Sequence, residues 1–232
     1  MRSKIQCLLL GFVAICIVNT ISMNAQEVRV SGASRNVMMG LNLSAHMRLD
    51  TLLFNESLFG LGPVDSLQGE ITILKGIPYV STIINGNIST RVDSNLMAPF
   101  FVYSYCKEWI ERSFHFKGNF KDLEQFLSSN SDHSRPYPFR IIGIFRQVDY
   151  HIIMKDWSNP IHNHEIHYQS KVSFSESDME GEIVGFFSKS HEGIFTHKGD
   201  YIHIHLVRQN PALSAHIDQI EFDGEVILYL PK

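Results

Sequence analysis

Three histidines in one short stretch set the chemistry this chain can attempt. In GDYIHIHLVRQNPALSAHID, residues 199–218, His203 and His205 stand two apart, and His216 follows eleven residues after His205. Three imidazoles around one ion leave a fourth position open, which is a catalytic type of zinc geometry. If YIHIHL is a strand, residues two apart share a face with Cα atoms about 7 Å apart, so both rings can reach one ion. Ile202, Ile204 and Leu206 then fill the opposite face and anchor the strand. Asn210-Pro211 is a turn signal, so His216 can return on a neighbouring strand. Spacing alone leaves a plainer reading open: two alternating histidines are more often a half-solvated strand face than a ligand pair.

A second cluster, NPIHNHEIH, holds His162, His164 and His167 with Glu165 among them. Its spacing also suits a metal. It follows Pro160 in a polar segment without apolar alternation, however, and reads as a solvated loop. Cys106, in FFVYSYCKEW, reads as a buried small hydrophobe. Glu180 and Glu182 read as a solvated strand face, and Tyr150 and Tyr201 carry no specific claim to chemistry. Phe100-Phe101, Phe186-Phe187, Trp109 and Trp157 read as packing residues.

The elements that must position these groups are mostly strands. EITILK and IPYVSTII, separated by Gly76, predict a hairpin, and APFFVYSYC predicts a third strand. HMRLDTLLF predicts a short helix. NFKDLEQFLSS places Phe120, Leu123, Phe126 and Leu127 on one helical face, with Asn119 as N-cap. PFRIIGIFRQVDYHIIM predicts a strand, or a strand pair bent at Gly143, and EGEIVGFFS and DYIHIHLV predict two more. In QIEFDGEVILYLP, Asp223-Gly224 between apolar runs predicts a hairpin. The balance predicts an α+β fold: two packed mixed or antiparallel β-sheet layers with one or two flanking helices.

With 232 residues, 44% hydrophobic and 19% charged, the chain is globular rather than disordered. A formal charge of −4 without a run of Lys or Arg gives no electrostatic footprint for nucleic acid. The N-terminus reads as a secretory signal peptide over residues 1–25: Arg2 and Lys4, the apolar run Cys7 to Val18, then SMNAQ. That run is too short to cross a bilayer comfortably, the rival reading being an uncleaved anchor. The expectation is an exported protein, periplasmic or secreted, free of the membrane after cleavage. Removing the leader takes the charge from −4 to −6 and leaves Cys106 as the one cysteine, so no intramolecular disulfide forms.

Read together, these segments resemble the α-acetolactate decarboxylase family over about residues 50–230. GLGPVDSLQGEITILKG is similar to the family's glycine-rich lead into a Gly-Glu pair, here Gly69-Glu70, and a hydrophobic hairpin. APFF resembles its Pro-Phe signature, FRIIGIFRQV the strand leading into the active site, and GEIVGFFS the strand before the ligands. YIHIHL and His216 match its three metal histidines. No single motif is decisive, but their order and spacing are specific. The resemblance implies an acetolactate decarboxylase-like fold with zinc at His203, His205 and His216 and Glu70 as the carboxylate beside it. It also implies conversion of acetolactate to acetoin and CO₂. In that chemistry the metal chelates the hydroxyl and keto oxygens and acts as a Lewis acid, and Glu70 supplies a proton. The implied partner is a small hydroxy-keto acid. A homodimer is also implied, for which the residues carry no signal of their own. The organisation expected is a leader (1–25), a part with a β-hairpin sheet and helix (26–135), and a β-rich metal-binding part (136–232).

Three departures from the family bear on substrate handling. Where the family has an active-site arginine, this chain has His151, counted from Phe145; Arg146 is nearby but points differently. An arginine holds a carboxylate in a bidentate fork, which a histidine cannot do. The two glycines before the family's third histidine are here Ser214 and Ala215, which raises a question about local backbone angles. The family's C-terminal tail returns a glutamate to the site, whereas this sequence ends in LYLPK, and Glu225 is no obvious substitute. The expectation is a retained metal site with weakened or altered turnover, His151 being the substituted catalytic position. The alternatives are a non-catalytic metal-binding member of the same fold and a zinc enzyme of other specificity, such as a hydrolase with Glu70 as base.

Overall fold

Among the described residues, runs of β-branched and aromatic residues punctuated by glycine turns fold into two large antiparallel sheets and a small two-stranded one. The computed structural model describes residues 27–129 and 135–232, so the leader read over 1–25 lies outside the described residues. In chain order come β1 (Val28–Ser31), α1 (Ser34–Met38), β2 (Met47–Arg48), β3 (Leu58–Pro63), β4 (Glu70–Leu74) and β5 (Ile77–Ile84). Next are β6 (Asn87–Val92), β7 (Met97–Ala98), β8 (Phe101–Tyr105), β9 (Trp109–Asn119) and α2 (Phe120–Ser129). Last are β10 (Tyr137–Ile153), α3 (His164–Gln169), β11 (Lys171–Phe187), β12 (Ile202–Gln209) and β13 (Ala212–Pro231).

The first sheet runs β1-β8-β3-β4-β5-β6. Its expected hairpin is present: Leu74 pairs with Ile77 across Lys75-Gly76, both with positive φ (50° and 75°). That is the two-residue loop whose backbone matches the twist of the strands. The second sheet runs β10-β11-β12-β13-β9, and β10 also pairs with β13, so four of its strands close on themselves. Inside, Ile202, Ile204 and Leu206 pack with Phe139, Phe145, Phe187 and Phe222. Helix α2 adds Leu123 and Leu127 to this core. Its start is capped as expected, with Asn119 Oδ1 accepting from the Lys121 and Asp122 amides. The α+β fold with two β layers stands, and β13 lies against β4, β5 and β6 of the first sheet.

Three local expectations are corrected. Asp223-Gly224 is not a turn: β13 continues through it, with Asp223 opposite Lys117 and Gly224 opposite Phe116. Continuous pairing with β9 satisfies the backbone better than a turn would. Between the pairs Gly143–Val226 and Gln147–Glu221, β13 takes one residue more than β10, so Gly224 lies in a bulge. HMRLDTLLF forms β2 and a single 3-10 turn (Leu49–Thr51), because β2 pairs with β7 and Leu49 is drawn into the core. NPIHNHEIH is not simply a solvated loop. It leads into α3, capped by Asn163 accepting from the Ile166 amide, with His167 turned inward and buried.

Candidate metal centre

Register brings the histidines together. The two-residue turn at Asn210-Pro211 lets Gln209 pair with Ala212, which sets His205 opposite His216 across β12 and β13. On its other edge β13 sets His216 opposite His151 of β10. His203, two residues from His205, is on the same face of β12, and its ring lies 5.2 Å from that of His205 and 4.8 Å from that of His216. Ligand nitrogens of His203, His205 and His216 all fall within 4.8 Å of one another. Ser214 and Ala215, which replace glycines of the family pattern, lie in regular strand pairs with Val207 and Leu206, and neither has a positive φ. They need no special backbone there.

The facing sheet supplies the rest. Alternation along β4 points Glu70 and Thr72 to one face. Glu70 Oε2 lies 3.8 Å from His205 Nε2 and Oε1 lies 3.8 Å from His151 Nε2. Oε1 also accepts from the Ile153 amide at 3.3 Å. Thr72 Oγ1 lies 3.0 Å from His205 Nδ1 and 2.7 Å from Ser214 Oγ. His203 Nδ1 donates to the Phe195 carbonyl at 2.8 Å, so its Nε2 carries the free electron pair. Partners of this kind on the outer nitrogen orient a metal-binding imidazole.

The electrostatics suit a cation. Burial pushes His205 down to about 3 and holds His203 and His216 well below the usual imidazole range, with neighbouring histidines adding to the effect on His203 and His216. The three rings are therefore neutral at physiological pH, the state that binds metal. Among the described residues His205 Nε2 is buried with no hydrogen-bond partner, an orphaned nitrogen that a metal ion would satisfy. His203 Nε2 and His216 Nδ1 lie 3.0 Å apart. These donors fit a zinc-like ion, although imidazoles also suit other transition metals. Burial raises the Glu70 carboxyl to about 8.

Several residues of the site escaped the sequence reading. Asp218 Oδ2 accepts from His151 Nδ1 at 2.7 Å, and its Oδ1 accepts from Lys171 Nζ at 2.7 Å. Burial alone would raise Asp218, but the His151 bond and the nearby positive charge outweigh it and hold the carboxyl at about 2. Burial lowers His151, the Asp218 bond opposing it. His197, in the β11–β12 connection, places its ring 5.4 Å from that of His216 and is brought by burial to about 4. Phe100 stacks on His203 with centroids 5.9 Å apart, so it is a wall of the site as well as core. A cavity of about 330 Å³ is lined by Glu70, His151, Lys171, His203, His216 and Asp218, with His164 and His167 of α3 also on its wall.

Other readings divide. Arg146 is exposed beside Glu221 and Asp223, away from the cavity. Tyr150 stacks on Phe174 and hydrogen-bonds Glu176. Glu182 is not solvated: it pairs with the buried Arg140, itself packed against Tyr229. Cys106 is buried, as expected, and burial pushes its thiol up to about 12.

The protein-family model described as alpha-acetolactate decarboxylase matches residues 33–229. Among solved structures, alpha-acetolactate decarboxylase from Bacillus subtilis strain 168 superposes with a TM-score of 0.72 at 16% identity, covering 89% of this chain and 86% of that one. A Staphylococcus aureus protein of unknown function, described as similar to alpha-acetolactate decarboxylase, gives a TM-score of 0.72 at 16% identity, covering 88% and 84%. At that identity the likeness is one of fold. No curated protein sequence matches. The family match spans both sheets and all the residues gathered around the cavity, and the chain belongs to the alpha-acetolactate decarboxylase family.

Proposed function

We propose that this chain is an exported, zinc-dependent decarboxylase of acetolactate or a closely related 2-hydroxy-3-keto acid. The observation that carries the reading is the orphaned Nε2 of His205, set among three neutral buried imidazoles whose cluster borders a cavity sized for a small acid. The leader-like residues 1–25 support export.

A zinc ion held by His203, His205 and His216 supplies a Lewis acid that polarises the ketone of a hydroxy-keto acid. The protein's own groups then account for the proton. When the bond between the hydroxyl-bearing carbon and the carboxylate breaks, its electron pair moves toward the neighbouring ketone and CO₂ leaves. That carbon must regain one proton. Glu70, with its oxygens 3.8 Å from His205 Nε2 and from His151 Nε2 and its carboxyl raised by burial in the metal-free protein, is the proton donor at hand. His151 Nε2 lies 3.8 Å from Glu70 Oε1. Its other nitrogen is fixed by Asp218.

Purified protein is expected to hold about one zinc per chain and to release acetoin from acetolactate. The double variant His203→Ala, His205→Ala is expected to lose both. Equal zinc in the two proteins would remove the proposed centre. Zinc binding without turnover of acetolactate or its homologues would leave a metal-binding member of the fold.

A further inference from the structure

Lys171 opens β11, paired with Ile153 of β10. Its side chain is 12% exposed and lines the same cavity as Glu70, His203 and His216. Lysines are seldom held this way, because the flexible stem normally lets the ammonium reach water. Two contacts hold this one in place: Asp218 Oδ1 at 2.7 Å and the Tyr168 ring, 4.6 Å from Nζ to centroid. An ammonium has three N–H donors. Among the described residues Asp218 is the one hydrogen-bond acceptor of Nζ, so two donors are left at the cavity wall. They face the cavity, where the carboxylate of an anionic ligand can accept them in charge-assisted hydrogen bonds. The charge of Lys171 also acts on Glu70, His151, His167 and His197 around the cavity. Lys198, the other lysine on the lining, is exposed.

We propose that Lys171 is the carboxylate anchor of this site: the cavity takes a small carboxylic acid whose carboxylate receives the free N–H donors of Lys171 while its remaining oxygens face the histidines. Asp218 is then a positioning residue that holds the ammonium at the wall. His151, at the position where a forked cation would hold the carboxylate, is freed from that task. A point charge suits the role, since it attracts the carboxylate without demanding one bidentate geometry. The inference rests on the metal-dependent reading of the site given above.

The test uses the zinc-loaded full chain and titration calorimetry with two unreactive probes. One is 2,3-dihydroxy-2-methylbutanoate, which keeps the carboxylate but has no ketone to accept electrons. The other is 2,3-butanediol, which lacks the carboxylate. Lys171→Met is expected to weaken the acid roughly tenfold or more, the value of a lost charge-assisted hydrogen bond, and to leave the diol unchanged. Lys171→Arg, which keeps the charge, is expected to recover most of the loss. Should Lys171→Met fail to fold, Lys171→Gln, which keeps a donor for Asp218, takes its place. Equal acid binding by wild type and the neutral variant, with zinc content intact, overturns the anchor and leaves the metal reading standing. Acid binding by wild type that is the same with and without zinc overturns the metal reading and the anchor with it.

Discussion

His151 donates its Nδ1–H to Asp218 Oδ2 across 2.7 Å, a bond between two strands that are 67 residues apart in sequence at this point. Because the carboxylate can only accept, the bond assigns the imidazole tautomer and leaves Nε2 toward Glu70. The same carboxylate holds Lys171, so one acid orders two of the groups that face the cavity.

Asp218 therefore couples the site to acid stability. Its folded pKa of about 2 lies below the ordinary aspartate value of 3.8. A depressed carboxyl contributes stability that is present above the unfolded pKa and lost as pH falls through the folded one. Asp218→Asn is expected to cost ~2 kcal/mol near neutral pH and to flatten the stability profile between about pH 4 and pH 2. Urea unfolding across that range checks it. Parallel acid limbs for wild type and variant would count against the coupling.

Glu70 sets the opposite slope in metal-free protein. Its folded pKa of about 8 exceeds the ordinary glutamate value of 4.5. Such a group contributes stability that is fully present below the unfolded pKa and lost as pH rises through the folded one. Chelator-treated wild type is expected to lose thermal stability relative to Glu70→Gln as pH rises from about 5 to 9. Gln keeps the shape and cannot ionise. Melting temperatures that stay a constant distance apart would show that Glu70 is not held protonated by burial.

The parts of this site that could be read beforehand are those written locally. The alternation of YIHIHL gave the strand, its buried isoleucines and the histidine face together, because a strand repeats every two residues. Asn119 and the spacing of Phe120, Leu123 and Leu127 gave α2 for the same kind of reason. What could not be read arises from register between strands distant in sequence. Nothing in KVSFSESD marks Lys171 as a cavity residue, and nothing in HIDQI marks Asp218 as its partner. Lys171 follows from β10 and β11 pairing it with Ile153, and Asp218 from β10 and β13 pairing His151 with His216. Thr72 was half legible, two residues after Glu70 in GEITIL, but its link to His205 needs the second sheet. Asp223-Gly224 misled because a local turn preference yielded to continuous pairing of β13 with β9.

Thr72 offers a direct measure of how far the facing sheet tunes the metal centre. Its hydroxyl is fully buried between His205 Nδ1 and Ser214 Oγ. Thr72→Val keeps the volume and β-branching but releases the imidazole. Zinc affinity is expected to fall roughly 10- to 100-fold, with secondary structure unchanged. Competition against a chromophoric chelator reads this out. Unaltered affinity would mean that strand packing alone orients His205.

Gly69 links backbone conformation to the placement of Glu70. Its φ is +141°, and a Cβ there would stand 2.3 Å from the Ser81 carbonyl oxygen, a backbone atom of the neighbouring strand that cannot step aside. Gly86, in the next hairpin, also has positive φ (+77°), but a Cβ there would meet nothing within 4 Å. Gly86→Ala should therefore cost only the left-handed conformation, about 1 kcal/mol. Gly69→Ala adds a steric clash, for an expected total of about 2–4 kcal/mol. Because the clash lies at the first peptide of β4, relief by backbone shift should also carry Glu70 away from His205 and His151. Gly69→Ala is thus expected to lower acetoin formation as well as the denaturation midpoint, while Gly86→Ala alters only the midpoint. Equal losses of stability in the two variants would show that β4 can move off Ser81 freely, and the close approach at Gly69 would then have no part in holding Glu70 in place.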